Sequence, residues 1–385
     1  MSICVPKTHR LSIHSLLENA GQECPDAPAL LAPGRRPISY RGLWQHISDV
    51  RQALTRLGAS RTAPVAAALP DGPEMASCFL AVSTCTTFAP LNPNYRASEF
   101  EFYLSDLKPG LLIVQKGADS PAVQVARSRG IRVVELIPQL EAEAGVFSLE
   151  GAPVEPRERL ICAGPEDAAL VLHTSGTTSR PKIVPLTHAN LCSSARNVAA
   201  SLELSPADLC LNVMPLFHIH GLVGAVLSSL TARSGVVCTP GFHALRFFEW
   251  FDEFGPTWYT AVPTMHQSVL SRAAQNPQSI AGSRLRFIRS ASSALPPQLM
   301  AELEEAFEVP VIEAYGMTEG SHQIASNPLP PGLRKPQSVG RGTGCEIAIV
   351  DGHDAMLPAG ENCAGCAARG GGGPPNPPRR SRTTE

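Results

Sequence analysis

Apolar and polar positions alternate along this chain in two different rhythms. The segment LSIHSLLENAG, from Leu11, repeats its apolar residues at helical spacing, PVAAALP has the length and composition of a short buried strand, and PEMASCFLAVSTC is apolar over three helical turns. Further on, GLLIVQ and IRVVELI flank GADSPAVQVARSRG, a pattern that predicts two parallel strands joined by a crossover helix. A polar stretch from Glu141 to Glu166 interrupts the rhythm. A second series then follows: ALVLH, LCLNVMP, SGVVCTP, TWYTAVP, LRFIRS and VPVIEAYG. Nearly all of these end in Gly, Pro, Ser or His, and helical patterns separate several of them. The alternation predicts an α/β fold built on parallel sheets, and ligands of such sheets bind beyond the carboxyl ends of the strands.

Composition narrows the picture without changing it. A chain of 385 residues, 43% apolar, can support more than one core, so two units are expected: residues 1–165 and 166–362. Beyond them, residues 363–385 form a Gly/Pro/Arg-rich tract that cannot bury enough apolar surface to fold, and disorder is expected there. The CxxC of Cys363 and Cys366 lies in that tract with no second ligand pair nearby. A formal net charge of -2 provides no electrostatic footprint for nucleic acid. No run of eighteen apolar residues and no apolar segment behind the first basic residues point to a membrane span or a leader, so a cytoplasmic protein is expected. Eleven cysteines, an odd number scattered singly through apolar runs, read as reduced core thiols.

The candidate chemistry lies in the loop after ALVLH. HTSGTTSRPK, residues 173–182, gathers the hydroxyls of Thr174, Ser175, Thr177, Thr178 and Ser179 around Gly176, with Arg180 and Lys182 behind. Loop amides and hydroxyls can surround phosphate oxygens while the basic pair supplies charge. A Ser/Thr-rich surface loop has the same composition. The spacing of a P-loop is absent, since one glycine precedes Pro181-Lys182. Thr187 stands where it can cap the helix that starts HANLCSSARNVAAS.

HTSGTTSRPKIVPLTH resembles the phosphate-loop signature of the adenylate-forming superfamily. MPLFHIHGL (Met214 to Leu222), RSASSALPP (Arg289 to Pro297) and EAYGMTEGSH (Glu313 to His322) follow in that family's order. TTSRPK, TWYTAVPTMHQ and SNPLPPG are most similar to its oxalate-CoA ligase branch. The resemblance covers roughly residues 10 to 362. It implies the family's large N-terminal domain, with two parallel-sheet αβαβα subdomains and a small distorted barrel, and it implies ATP, Mg²⁺ and CoA acting with a small carboxylic acid. Thr174, Ser175, Gly176, Thr177, Thr178 and Lys182 would cradle the β- and γ-phosphates. Thr318 would meet the α-phosphate, Glu319 the metal, and Ala314 and Tyr315 the adenine. His218, Ser292, Ser293 and His322 would line the acid site; Thr318, Glu319, His218 and Lys182 form the expected catalytic set. His220 is expected to pack or cap a helix.

Ile183 stands where most members carry glycine, which predicts strain if positive φ is needed there. The family's ribose-binding Asp, hinge and C-terminal lid with its catalytic Lys are not found after LPAGEN. A catalytically impaired remnant is therefore one alternative expectation; a ligase for longer fatty acids and a stand-alone adenylation domain are others.

Overall fold

A computed structural model describes residues 12–155, 160–174, 181–349, 356 and 366–370. The strands, in chain order, are β1 (Pro28–Leu31), β2 (Ile38–Ser39), β3 (Val65–Ala68), β4 (Phe88–Pro90), β5 (Leu111–Gln115), β6 (Arg132–Pro138), β7 (Phe147–Glu150), β8 (Ala168–His173) and β9 (Ile183–Thr187). They continue as β10 (Leu209–Asn212), β11 (Gly235–Cys238), β12 (Trp258–Ala261), β13 (Phe287–Ser290), β14 (Val311–Met317), β15 (His322–Ser326), β16 (Arg341–Gly342), β17 (Cys345–Ile349) and β18 (Cys366–Gly370). Among the described residues these build a seven-stranded sheet in the order β7-β6-β5-β3-β4-β8-β9 and a nine-stranded sheet in the order β16-β15-β14-β13-β12-β10-β11-β1-β2. The central strands of both are parallel, and the antiparallel pairs sit toward the edges. This is the parallel α/β architecture that the alternation of strand and helix patterns predicts.

The crossover appears as expected: β5 and β6 pair in parallel, Ile113 opposite Val134, joined by the helix Pro121–Ser128. Period two sorts each central strand between two cores. Cys210, Trp258 and Phe287 share one register row and belong to the core between the sheets; Leu211, Tyr259 and Ile288 share the next and pack outward on Phe247, Trp250 and Phe307. Because the inner cluster contains Leu30, Phe79, Leu170, Leu222 and Ile312, one apolar body spans both sheets.

Three findings modify the expectations. Strands are exchanged across residue 165: β1 and β2 join the nine-stranded sheet, while β8 and β9 complete the seven-stranded one. Cys366–Gly370, inside the stretch expected to be disordered, runs antiparallel to β17, with Ile347 opposite Ala368. Those five residues carry no proline and continue a strand's edge, which the composition of the whole tract concealed. Finally, Ile183 is not strained. It is strand backbone paired with His173, a conformation that suits a β-branched side chain. Of the cysteines, Cys78, Cys85, Cys192, Cys210 and Cys238 are free and buried.

Candidate adenylation site

The quoted motifs meet where strands of the two sheets end. β8 and β9, which flank the hydroxyl-rich stretch in sequence, pair antiparallel. The base of that stretch is closed by Thr174, whose N–H donates to the Lys182 carbonyl at 3.0 Å, while the Lys182 N–H reaches the Thr174 hydroxyl at 3.4 Å. The Lys182 side chain is exposed. Ser175, Gly176, Thr177, Thr178, Ser179 and Arg180 lie outside the described residues. Thr187 caps the next helix, His188–Ser201, in a capping box: its hydroxyl accepts from the Asn190 N–H at 3.2 Å, and the Asn190 side chain accepts from the Thr187 N–H at 3.2 Å.

β14 delivers the second group. Ala314 is buried, whereas Tyr315 is 45% exposed, and the single turn Thr318–Gly320 packs beside β9. Thr318 and the exposed Glu319 thus lie against the strand that follows Lys182. Gly316 makes this geometry possible. β14 and β15 change register between Tyr315 and Gly316, and a Cβ at Gly316 would sit 1.4 Å from the His322 carbonyl oxygen.

The third group lies beyond β12 and β13. His218 is exposed, its ring against Phe217, and His220 opens a π-helix over His220–Leu227. The loop before them is pinned from the other sheet: Asp71, after β3, accepts from the Leu216 N–H at 2.6 Å. Burial pushes the Asp71 carboxyl above its ordinary range, against the pull of that N–H. Ser292 and Ser293 are exposed on the loop after β13, which is anchored by Glu313: its Oε1 accepts from the Leu295 N–H at 3.0 Å, and its buried Oε2 has no partner. His322, only 3% exposed, stacks on His220 with ring centroids 5.0 Å apart.

Arg289, which the sequence reading passed over, organises this group. Wholly buried on β13, it donates to His220, Thr260, His322 and Gln323, all neutral groups. No carboxylate among the described residues pairs with it. Burial lowers its pKa to about 10, so it stays protonated at neutral pH. Burial first, and the Arg289 charge after it, hold the His322 imidazole well below its ordinary pKa. His220 is held down by burial and then by both neighbours. His220, expected to pack or cap a helix, is thus the bridge between Arg289 and Ser292, whose hydroxyl it meets at 3.0 Å. Ser292 (φ 72), Ser321 (φ 57) and His322 (φ 93) all take left-handed backbone. Such cost is tolerated where surrounding contacts over-determine it, and it clusters at functional sites. One signal of Arg289 was legible: a cation inside the apolar strand LRFIRS, at a position whose neighbours alternate inward, has to find polar company.

The geometry agrees with comparisons to known proteins. Residues 17–366 match the family model described as AMP-binding enzyme. An oxalate–CoA ligase of Arabidopsis thaliana is 41% identical over 346 residues, covering 88% of this chain and 67% of that protein. An oxalate–CoA ligase of Saccharomyces cerevisiae is 40% identical over 357 residues, covering 84% of this chain and 64% of the relative. The chain therefore spans about two thirds of the length of these relatives. Among solved structures, ATP-bound MatB from Rhodopseudomonas palustris superposes with a TM-score of 0.80 at 24% identity, covering 94% of this chain and 70% of that one. A long-chain-fatty-acid-CoA ligase from Archaeoglobus fulgidus gives 0.80 at 22% identity, covering 96% and 77%. These likenesses carry the fold. The chain belongs to the AMP-binding enzyme family.

Proposed function

We propose that this chain activates a short polar carboxylic acid, with oxalate the first choice, as its acyl-adenylate and passes the acyl group to the thiol of CoA. The observation that carries the reading is the buried Arg289 with its two imidazoles behind Ser292. A fatty chain laid against Ser292 and the remaining ring nitrogen of His322 would leave them unpaired, at a cost of about 1–3 kcal/mol for each polar group. A small acid with oxygen at both ends satisfies them. The two relatives named as oxalate–CoA ligases support the same choice.

In the first step one carboxylate oxygen bonds to the α-phosphorus of ATP, and the bond to the bridging oxygen breaks to release pyrophosphate. In the second, the CoA sulfur bonds to the acyl carbon, AMP leaves with the electron pair, and the thiol proton is lost to solvent. This chain's contribution is placement and opposite charge. Lys182 and Thr174, with Ser175, Gly176, Thr177 and Thr178, take the β- and γ-phosphates; Thr318 takes the α-phosphate. Tyr315, on its exposed strand end beside Ala314, offers a face to adenine. His218 stands at the approach to the acid, with Ser292, Ser293 and His322 around it.

Mg²⁺ fits the residues present. No three His, Cys, Asp or Glu gather into a ready-made cage among the described residues, while the exposed Glu319 carboxylate is the kind of single oxygen ligand that Mg²⁺ combines with phosphate oxygens and water. When bound, the ion neutralises phosphate charge. No helix among the described residues is long and apolar enough to cross a membrane.

Equilibrium binding to the 385-residue chain, with Mg²⁺ and a non-hydrolysable ATP analogue present, tests the substrate class. Oxalate is expected to bind and octanoate to fail at the same concentration. Octanoate binding with oxalate indifferent would move the protein to the fatty-acid branch.

A further inference from the structure

Arg289 and Thr260 are register partners on adjacent strands, and His220 and His322 lie over them. Nη1 of Arg289 donates to Nε2 of His220 at 3.2 Å and to the Thr260 hydroxyl at 3.3 Å; Nη2 donates to Nε2 of His322 at 3.0 Å and to Oε1 of Gln323 at 3.0 Å. A guanidinium has donors only. Each imidazole nitrogen facing it must therefore be a bare acceptor. Thr260 accepts from Arg289 and turns its own hydroxyl proton to Nε2 of His220 across 2.6 Å, so the single lone pair of that nitrogen is shared between the hydroxyl and the guanidinium N–H. A neutral imidazole has one N–H, so both rings carry it on Nδ1. His220 gives that proton to the Ser292 oxygen at 3.0 Å, which leaves the serine hydroxyl proton for another acceptor. His322 keeps Nδ1–H as the donor it has to offer.

The geometry points to Arg289 as a positioning residue that selects the acid by fixing both imidazoles in the Nδ1–H tautomer, so that Ser292 and His322 turn protons toward the acid. This rests on the short-acid reading above and adds a rule to it. The distal end of the acid must accept hydrogen bonds. A carboxylate does so with every lone pair, whereas the isosteric carboxamide presents two N–H groups where Ser292 and His322 direct protons. Rejection of that kind is strong, because it leaves buried polar groups facing like partners. The surroundings hold the arrangement in place. Gln323 is fixed by Ser201 at 2.9 Å and Thr343 at 3.2 Å, so its Oε1 faces Arg289. Gly224 leaves room for the His322 ring, since a Cβ there would lie 2.4 Å from Nε2.

Two measurements on the full chain test this. In ¹⁵N-histidine spectra at neutral pH, His220 and His322, assigned by the signals lost in His220→Asn and His322→Asn, are expected to show a protonated Nδ1 and a bare Nε2. A protonated Nε2 on either ring overturns the proposal without any variant of Arg289 having to fold. In calorimetry with the ATP analogue, oxalate is expected to bind on the order of tenfold or more tighter than oxamate. Arg289→Gln should shrink that preference several-fold, and Arg289→Lys, which keeps a charged donor, should retain part of it, with ATP affinity as the control for folding. Oxalate binding with an unchanged oxalate-to-oxamate ratio in Arg289→Gln overturns the positioning role alone. Preference for octanoate over both acids overturns the short-acid reading itself.

Discussion

At the scale of single residues, the site depends on positions where a side chain is missing as much as on those where one is present. In Gly224→Ala the new Cβ would meet the His322 ring at 2.4 Å and His220 at 3.2 Å, and neither ring can turn away while Arg289 holds it. A destabilisation of about 1–3 kcal/mol is expected, with acid affinity falling and ATP affinity kept. A variant with native melting temperature and native oxalate binding would contradict this. Glu319→Gln should weaken binding of ATP with Mg²⁺ far more than binding of AMP without metal, because one anionic oxygen ligand is lost. Parallel titrations decide it, and equal losses would remove Glu319 from the metal. Thr174, Ser292 and Thr318 were legible because each follows closely on the end of an apolar strand. For Arg289 only the presence of a buried cation was legible: it lies one residue inside such a strand, and the register of β12 against β13 is what shows that Thr260 is its neighbour.

Among the elements, the helix His188–Ser201 links β9 to the strand that carries His322, in the proposed acid site. It begins at the Thr187 cap, and its Ser194 and Ser201 hydroxyls accept from the backbone and side chain of Gln323. Thr187→Ala should cost about 1 kcal/mol, read as a lower urea midpoint at unchanged slope. No shift in midpoint would mean that the capping box contributes nothing. This helix was readable from its cap and its apolar spacing. The π-helix was not: HGLVGAVL is apolar on every side, so its composition suits an ordinary buried helix equally well. β18 was unreadable for a different reason, since its pairing with β17 comes from a neighbour in space while the surrounding Gly and Pro dominate the local pattern.

For the whole molecule, acid is the expected weakness. Burial holds His46, His188 and His266 down to about 4, against an ordinary value of 6.5. The unfolded chain takes up these protons first as the pH falls, so the stability from keeping the rings neutral is complete above about 6.5 and drains away toward about 4. The urea midpoint should therefore drop between pH 7 and pH 5. His46→Leu, at a ring that rests edge-on against Phe147, should remove on the order of 2 kcal/mol of that drop. A pH profile identical to that of the unmodified chain would show that His46 takes no part. The exchange of strands has its own outcome while the protein is being made. β1 has to wait for β11, Leu30 for Val236, and β4 for β8, Phe88 for Leu170. At ribosomal speeds of about 5–20 residues per second, β1 stays unpaired on that side for roughly 10–40 s. Until β8 and β9 have emerged the amino-terminal half owns no finished sheet, and its apolar strands are open to chaperones or to other nascent chains. Severing the polypeptide near residue 165 would leave two pieces, each holding strands that belong to the other.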